Sequence, residues 1–210
     1  MAFSNQLLGE VVATDVSLNE YMTHYAELNC EWIDGVVIRV SPSELKHNNL
    51  IHYLYQLLDG YFELKPIGTV IGQPFVMRLP KFPKRRREPD LLVILNTNPN
   101  ELKNTYMDGP ADLCVEVVSE ESTSRDHGEK FQEYEKGGVS EYWIVDYRRQ
   151  ESRFYCLSTE GIYERQELTS DGQYQTPLLP QFSLDVAIMW NNKLPGTITI
   201  SKMIQTMLSQ

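Results

Sequence analysis

Two short apolar runs, each carrying one acid, restrict this chain more than any other feature: Asp90-Leu-Leu-Val-Ile-Leu95 and Leu113-Cys-Val-Glu-Val-Val118. Continuous apolar runs of this length read as strands covered on both faces, which calls for helices above and below a sheet. A third run, Glu141-Tyr-Trp-Ile-Val-Asp146, follows the same pattern. Burying an ionised carboxylate costs several kcal/mol unless something pairs with it. One acid at a strand end is an ordinary structural feature. Asp90 and Glu116 on neighbouring central strands define a candidate site.

The flanking segments supply the helices. Ser17-Leu-Asn-Glu20 is a capping box and predicts a helix to about Leu28. Asp34-Gly35 between β-prone runs predicts a hairpin, because both turn positions need positive φ. Ser41-Pro-Ser-Glu44 repeats the capping logic, and Leu50, Leu54, Leu57, Leu58 and Tyr61 form one apolar helix face reaching Leu64. A strand is expected from Val70 to Leu79, with Pro74 at an edge or bulge. Residues 96–110 read as a long loop with one helical turn near Glu101-Leu-Lys103. A helix is expected from Asp126, with Glu129 completing a capping box, to Gly137-Gly138. Runs at 153–157 and 161–168 suggest an antiparallel meander, and 201–208 an amphipathic piece. This order predicts an α/β fold, a mixed central β-sheet flanked by helices with added antiparallel strands. The expected organisation is a lead-in over 1–16, one domain over 17–195 and a tail over 196–210 that forms a short helix.

The 210 residues suit one core, and 41% hydrophobic with 23% charged residues excludes a disordered or collagen-like chain. The start of the chain lacks a basic segment followed by an apolar run, and no stretch approaches the roughly 18 residues of a membrane span. A soluble, cytoplasmic protein without membrane association is expected. Cys30, Cys114 and Cys156 are odd in number and widely spaced, which argues against a disulfide framework or a zinc knuckle. A formal charge of −10 opposes nucleic acid binding except where positive charge is concentrated. Such a place exists: Arg78, Lys81, Lys84, Arg85, Arg86 and Arg87 are six of the nineteen Lys and Arg residues. The run reads as a solvated hairpin tip or as a phosphate-contacting loop, the latter through Lys84, Arg85, Arg86 and Arg87.

Mg²⁺ and Mn²⁺ take oxygen ligands, and Mg²⁺ is held by one or two protein carboxylates with water and substrate phosphate completing the shell. Asp90 and Glu116 match that demand. A cation held there polarises a phosphoryl oxygen and lowers the pKa of bound water, and a nearby lysine positions that water or neutralises developing charge. Period-two geometry puts residue 118 beside Glu116, but 118 is valine. Lys130, four residues after Asp126 on the next helix, delivers an ammonium from above the sheet, with Asp126 as its orienting partner or as a plain salt bridge.

An ordered series then becomes visible: Glu31-Trp-Ile-Asp-Gly35, Ser41-Pro42 with His47, Pro89-Asp90, Val115-Glu116-Val-Val-Ser119, Asp126-His-Gly-Glu-Lys130 with Tyr134, Gly138-Val139, Glu141 to Asp146, Pro177-Leu-Leu-Pro180 and Leu184-Asp185. Across residues 20–190 it resembles the Uma-two family of restriction endonucleases, similar in turn to the PD-(D/E)XK nuclease superfamily. The resemblance implies a restriction-endonuclease-like fold and a magnesium-dependent endonuclease hydrolysing phosphodiester bonds in DNA. It implies Asp90 and Glu116 as metal ligands, and Lys130 as the catalytic lysine migrated from position 118 to the helix. Glu31 and His47 are further candidates by position, while Val36 stands where relatives often carry glutamate. A homodimer is one expected assembly. Two other readings stand beside this one. In the first, the nuclease-like fold is a catalytically weak binding or regulatory module, favoured by the acidic balance and Val118. In the second, the chain is a structural oligomer contacting through Trp143, Trp190 and the tail from Met203.

Overall fold

The computed structural model describes residues 10–39, 44–118 and 125–209. Strand β1 (Glu10–Ala13) precedes helix α1 (Leu18–His24), whose N-cap Ser17 accepts from the Glu20 amide as the capping box requires. The helix ends four residues earlier than the spacing predicted. The hairpin of β2 (Cys30–Ile33) and β3 (Val36–Arg39) turns at Asp34 and Gly35, with φ of 50° and 89°. Helix α2 runs from Leu45 to Leu64, with Glu44 at its N-cap making no side-chain cap bond. The rest of the predicted cap, Ser41 to Ser43, lies outside the described residues.

The expected strand from Val70 to Leu79 is two strands, β4 (Gly68–Gly72) and β5 (Val76–Arg78), separated at Pro74 as a proline in a ladder demands. Then come β6 (Arg85–Arg86) and β7 (Leu91–Leu95). The predicted helical turn near Glu101 is instead β8 (Glu101–Leu102) paired with β9 (Tyr106–Asp108), because β9 also adds in parallel to β5. Tertiary pairing overrides local composition there. Strand β10 (Leu113–Val117) leads through a π-helical turn at Arg125–Glu129 into α3 (Lys130–Gly137). That helix stops at left-handed Gly138, whose amide donates to Tyr134 and Glu135 carbonyls. The chain continues through β11 (Glu141–Asp146), β12 (Glu151–Leu157), β13 (Tyr163–Gln166), β14 (Gln173–Gln175) and β15 (Ser183–Asp185). It then passes a 3₁₀ turn at Val186–Trp190 and ends in α4 (Thr197–Leu208).

The central sheet has the order β13-β12-β11-β10-β7-β4, with β10 and β11 parallel and every other pair antiparallel. It is the predicted mixed sheet. Alternation sends Leu91, Val93, Leu113, Val115 and Val117 to one face, against α2 and α4. Leu92, Ile94, Cys114 and Val118 go to the other, against Tyr134 of α3. A second sheet, β1-β3-β2-β6, brings Glu31 and the basic run to that second face. The lead-in therefore contributes a strand where its composition shows no period.

Residues expected at an oligomer contact pack within the chain: Trp143 is buried against Phe154 and Tyr174, Trp190 packs against the α2 cluster, and Ile204 of the tail is buried in it. Among the described residues no helix is long and apolar enough to cross a membrane, and no cysteines are bridged.

Candidate active site

The site forms where two central strands part. Strands β7 and β10 pair as Val93 with Leu113, Leu92 with Cys114 and Leu91 with Val115, and the ladder stops there. Asp90 and Glu116 are the next residues of the two strands, just past that last rung. Instead of a backbone carbonyl, Asp90 Oδ2 accepts the Val117 amide at 2.7 Å. Its side chain fills the place of a missing rung.

Glu116 is buried and faces α3. Its Oε1 accepts from Tyr134 hydroxyl at 2.8 Å, and its Oε2 lies 2.9 Å from Lys130 Nζ. Lys130 also lies 3.2 Å from Asp126 Oδ1 and 3.6 Å from Glu31 Oε1. Four-residue spacing aligns Asp126 with Lys130, and the π-helical turn that contains Asp126 is held by Tyr142 hydroxyl, which donates to the Asp126 carbonyl at 3.1 Å. The structure thus brings Glu116, Lys130, Asp126 and Glu31 into one cluster, with Asp90 near enough for its charge to raise the Glu116 carboxyl. His47, on α2, reaches Asp90 from the opposite face of the sheet, with Nε2 3.5 Å from Oδ2. Burial works to lower the His47 pKa, but hydrogen bonding and the charge of Asp90 outweigh it and hold the imidazole above its ordinary value.

Val118 is buried in the apolar cluster with Tyr134, Tyr142 and Ile144, so that strand position carries packing and the ammonium comes from the helix. The basic run is divided. Arg87 is 1% exposed; it donates to Glu31, Glu129 and Glu133, each at 2.8 to 2.9 Å. Arg86 is also buried, over the Trp32 ring and against the Pro83 and Arg85 carbonyls. Arg85 pairs with Glu129 and Glu133. This corrects the expectation that Arg86 and Arg87 touch nucleic acid: both guanidiniums are turned inward by carboxylates or carbonyls. Lys84 remains exposed.

Sequence reasoning missed several members of the cluster. Glu88 is buried, receives the Tyr21 hydroxyl at 3.1 Å, and shares with Asp90 the alternation of a single extended stretch. Glu133 follows Lys130 by three residues, beside the Tyr134 already in the series, so a polar stripe of Asp126, Lys130, Glu133 and Tyr134 along one helix face was the signal available.

Among the described residues acids outnumber cations in this interior. Burial, reinforced by Glu31, raises the Glu88 carboxyl to about 8. Burial also raises Glu116 to about 8, with Asp126 and Asp90 adding to the shift and Lys130 opposing it. Both groups have folded pKa values above their unfolded ones, so the native state binds more protons between about pH 4.5 and 8. Stability of the metal-free protein is therefore expected to fall as pH rises through that window. The slope approaches about 1.4 kcal/mol per pH unit for each group. Urea unfolding in chelator at several pH values measures this, and a flat profile would contradict the assigned burial of the two acids.

A depression of about 730 Å³ opens on Asp90, bordered by Glu27, Asn48, His52, Tyr55 and Pro74. A crystal structure described as "a putative nuclease belonging to DUF820", from Anabaena variabilis, superposes with a TM-score of 0.68 at 15% identity, covering 83% of this chain and 97% of that one. Its likeness shows the fold. The model of the Uma2 family, described as "Putative restriction endonuclease", matches residues 18–187. The chain belongs to the Uma2 family, among the restriction-endonuclease-like nucleases. No curated protein matches it.

Proposed function

We propose that this chain is a divalent-metal-dependent endonuclease that hydrolyses phosphodiester bonds in DNA. The observation that carries the reading is buried Glu116 with Lys130 Nζ at 2.9 Å, at the fork where Asp90 stands just past the last rung. The donor set fits a hard cation. Among the described residues Glu31, Glu88, Asp90, Glu116, Asp126 and Glu133 are buried, and the buried basic groups that pair with them are Arg87, Lys130 and, at Asp90, His47. An excess of buried acid is the condition that a cation relieves. Among the described residues no three His, Cys, Asp or Glu side chains form a metal cage. A carboxylate pair supports Mg²⁺ or Mn²⁺, which keep water and substrate phosphate in their shells, over Zn²⁺ with its closed set of protein ligands.

Asp90 and Glu116 are the residues that would hold the ion, which supplies Lewis acidity and a water of lowered pKa when bound. The chain's own groups do the rest. Lys130 lies against Glu116, where its role is to orient the attacking water and offset charge gathering on the phosphoryl oxygens. Asp126 and Glu31 hold that ammonium in place, and Tyr134 fixes the rotamer of Glu116 through Oε1. His47 restrains Asp90 from the other side.

Cleavage of plasmid and linear DNA is expected in Mg²⁺ or Mn²⁺ and is expected to vanish in chelator. Glu116→Gln, which keeps the Tyr134 contact and removes the charge, should lower the rate by at least about a hundredfold. Metal-dependent cleavage that survives this change would overturn the assignment of Glu116. DNA binding without cleavage under every metal condition would favour the binding-module reading, to which the buried Val118 also points.

A further inference from the structure

A second pocket, of about 330 Å³, lies beside the site and takes no part in the chemistry above. That volume is within the range of small-molecule sites. One wall is the outer face of α2. The other is the turn from Met189 to Pro195, just beyond the family-matched residues, and Gln56 Nε2 ties the two together through Thr197 Oγ1 at 2.8 Å. Its lining is unlike the rest of the protein. In a chain of net charge −10, Lys46 and Lys193 stand at its rim, Trp190 and Tyr147 offer ring surface, and no carboxylate lines it among the described residues. On its floor is Tyr53, 1% exposed, whose hydroxyl has no hydrogen-bond partner among the described residues. A buried hydroxyl without a partner is costly and marks a place where a polar group is received.

The position relates this pocket to the candidate active site. Lys46 precedes His47, which touches Asp90, and the His47 ring meets Tyr147 edge-on at 6.4 Å. His52 borders both this pocket and the depression that opens on Asp90. A strand lying over Asp90 and crossing α2 at His52 enters the pocket next.

We infer that the pocket is a nucleotide subsite. It receives one unpaired nucleotide of the substrate strand adjacent to the cleaved phosphodiester. Lys46 and Lys193 meet phosphate, the rings of Trp190 and Tyr147 pack the base, and Tyr53 hydroxyl bonds a polar atom of its edge. Stacking on aromatic side chains with lysines tracking the backbone is how unpaired strands are held. The inference rests on the proposed nuclease activity for the identity of its ligand.

The test uses the full chain and a labelled single-stranded oligodeoxynucleotide, with binding followed by anisotropy in chelator. Hydrolysis of a small chromogenic phosphodiester, too short to reach the pocket, is followed in Mn²⁺. The double variant Lys46→Ala/Lys193→Ala is expected to bind the strand roughly tenfold more weakly. Its plot of log affinity against log salt should be shallower by about 1.4, as two lost single-strand phosphate contacts require. Trp190→Ala is expected to cost about tenfold as well. Both should leave turnover of the small ester unchanged. Unaltered strand affinity and salt slope in the lysine variant, whose changes are at the surface and spare the fold, would overturn the subsite. A free deoxynucleoside monophosphate that quenches Trp190 fluorescence as tightly as the strand would also overturn it, assigning the pocket to a free nucleotide. Failure of the wild type to hydrolyse either ester, with strand binding still dependent on the lysines, would count against the nuclease reading alone.

Discussion

Replacing Arg87 with methionine is expected to destabilise the protein by about 3–5 kcal/mol, the cost of removing one partner from a buried ionic group. The guanidinium serves Glu31, Glu129 and Glu133 at once. Burial opposes its charge, but Glu31 and Glu133 hold the guanidinium pKa well above its ordinary value. Without it, Glu31 and Glu133 stay buried with weaker compensation. For a domain of this size such a loss lowers the thermal midpoint by roughly 10 °C. Arg87→Lys should recover only part, since an ammonium cannot span three carboxylates in one plane. The half-exposed pair of Arg78 and Asp108, at 3.4 Å, is the comparison. Arg78→Met should cost less than about 1 kcal/mol. Equal midpoints for the two variants would show that Arg87 is not the tie between β2, β6 and α3.

Lys130→Met is expected to reduce the cleavage rate by about two to three orders of magnitude, the usual effect of deleting a group that stabilises developing charge. The same change also strips the counter-charge from Glu116 and Asp126. Glu116 then binds its proton still more firmly, so the variant is least perturbed at acid pH, where that proton is already in place. Rates normalised to folded protein at about pH 6 separate chemistry from stability. A variant that cleaves within threefold of wild type there would remove Lys130 from the mechanism and leave it a structural cation.

Much of this arrangement was legible before the structure. The apolar runs at 90, 113 and 141 are the three central strands, and the Asp-Gly turn, the α2 stripe and the Gly138 stop fall where local chemistry puts them. Lys130 was legible because Val118 removes the nearer alternative. What escaped was set by partners distant in sequence. The segment at 101–108 becomes strand because β5 offers it an edge. Arg86 and Arg87 read as surface charge because a run of like residues looks solvated, while the carboxylates that turn Arg87 inward come from β2 and α3, more than forty residues away on either side. Glu88 stood next to a motif and drew no notice because nothing local says that Tyr21 reaches it.

The missing rung at the fork has a further consequence. Position 90 must satisfy the Val117 amide whatever else it does, so the sheet itself dictates a short side chain ending in an acceptor. Exchange of one terminal oxygen for nitrogen, aspartate to asparagine, can leave that splice in the backbone intact while abolishing the charge. At residue 90 the architecture of the sheet and the proposed hold on a cation fall to the same three-atom group, and a single atom separates them.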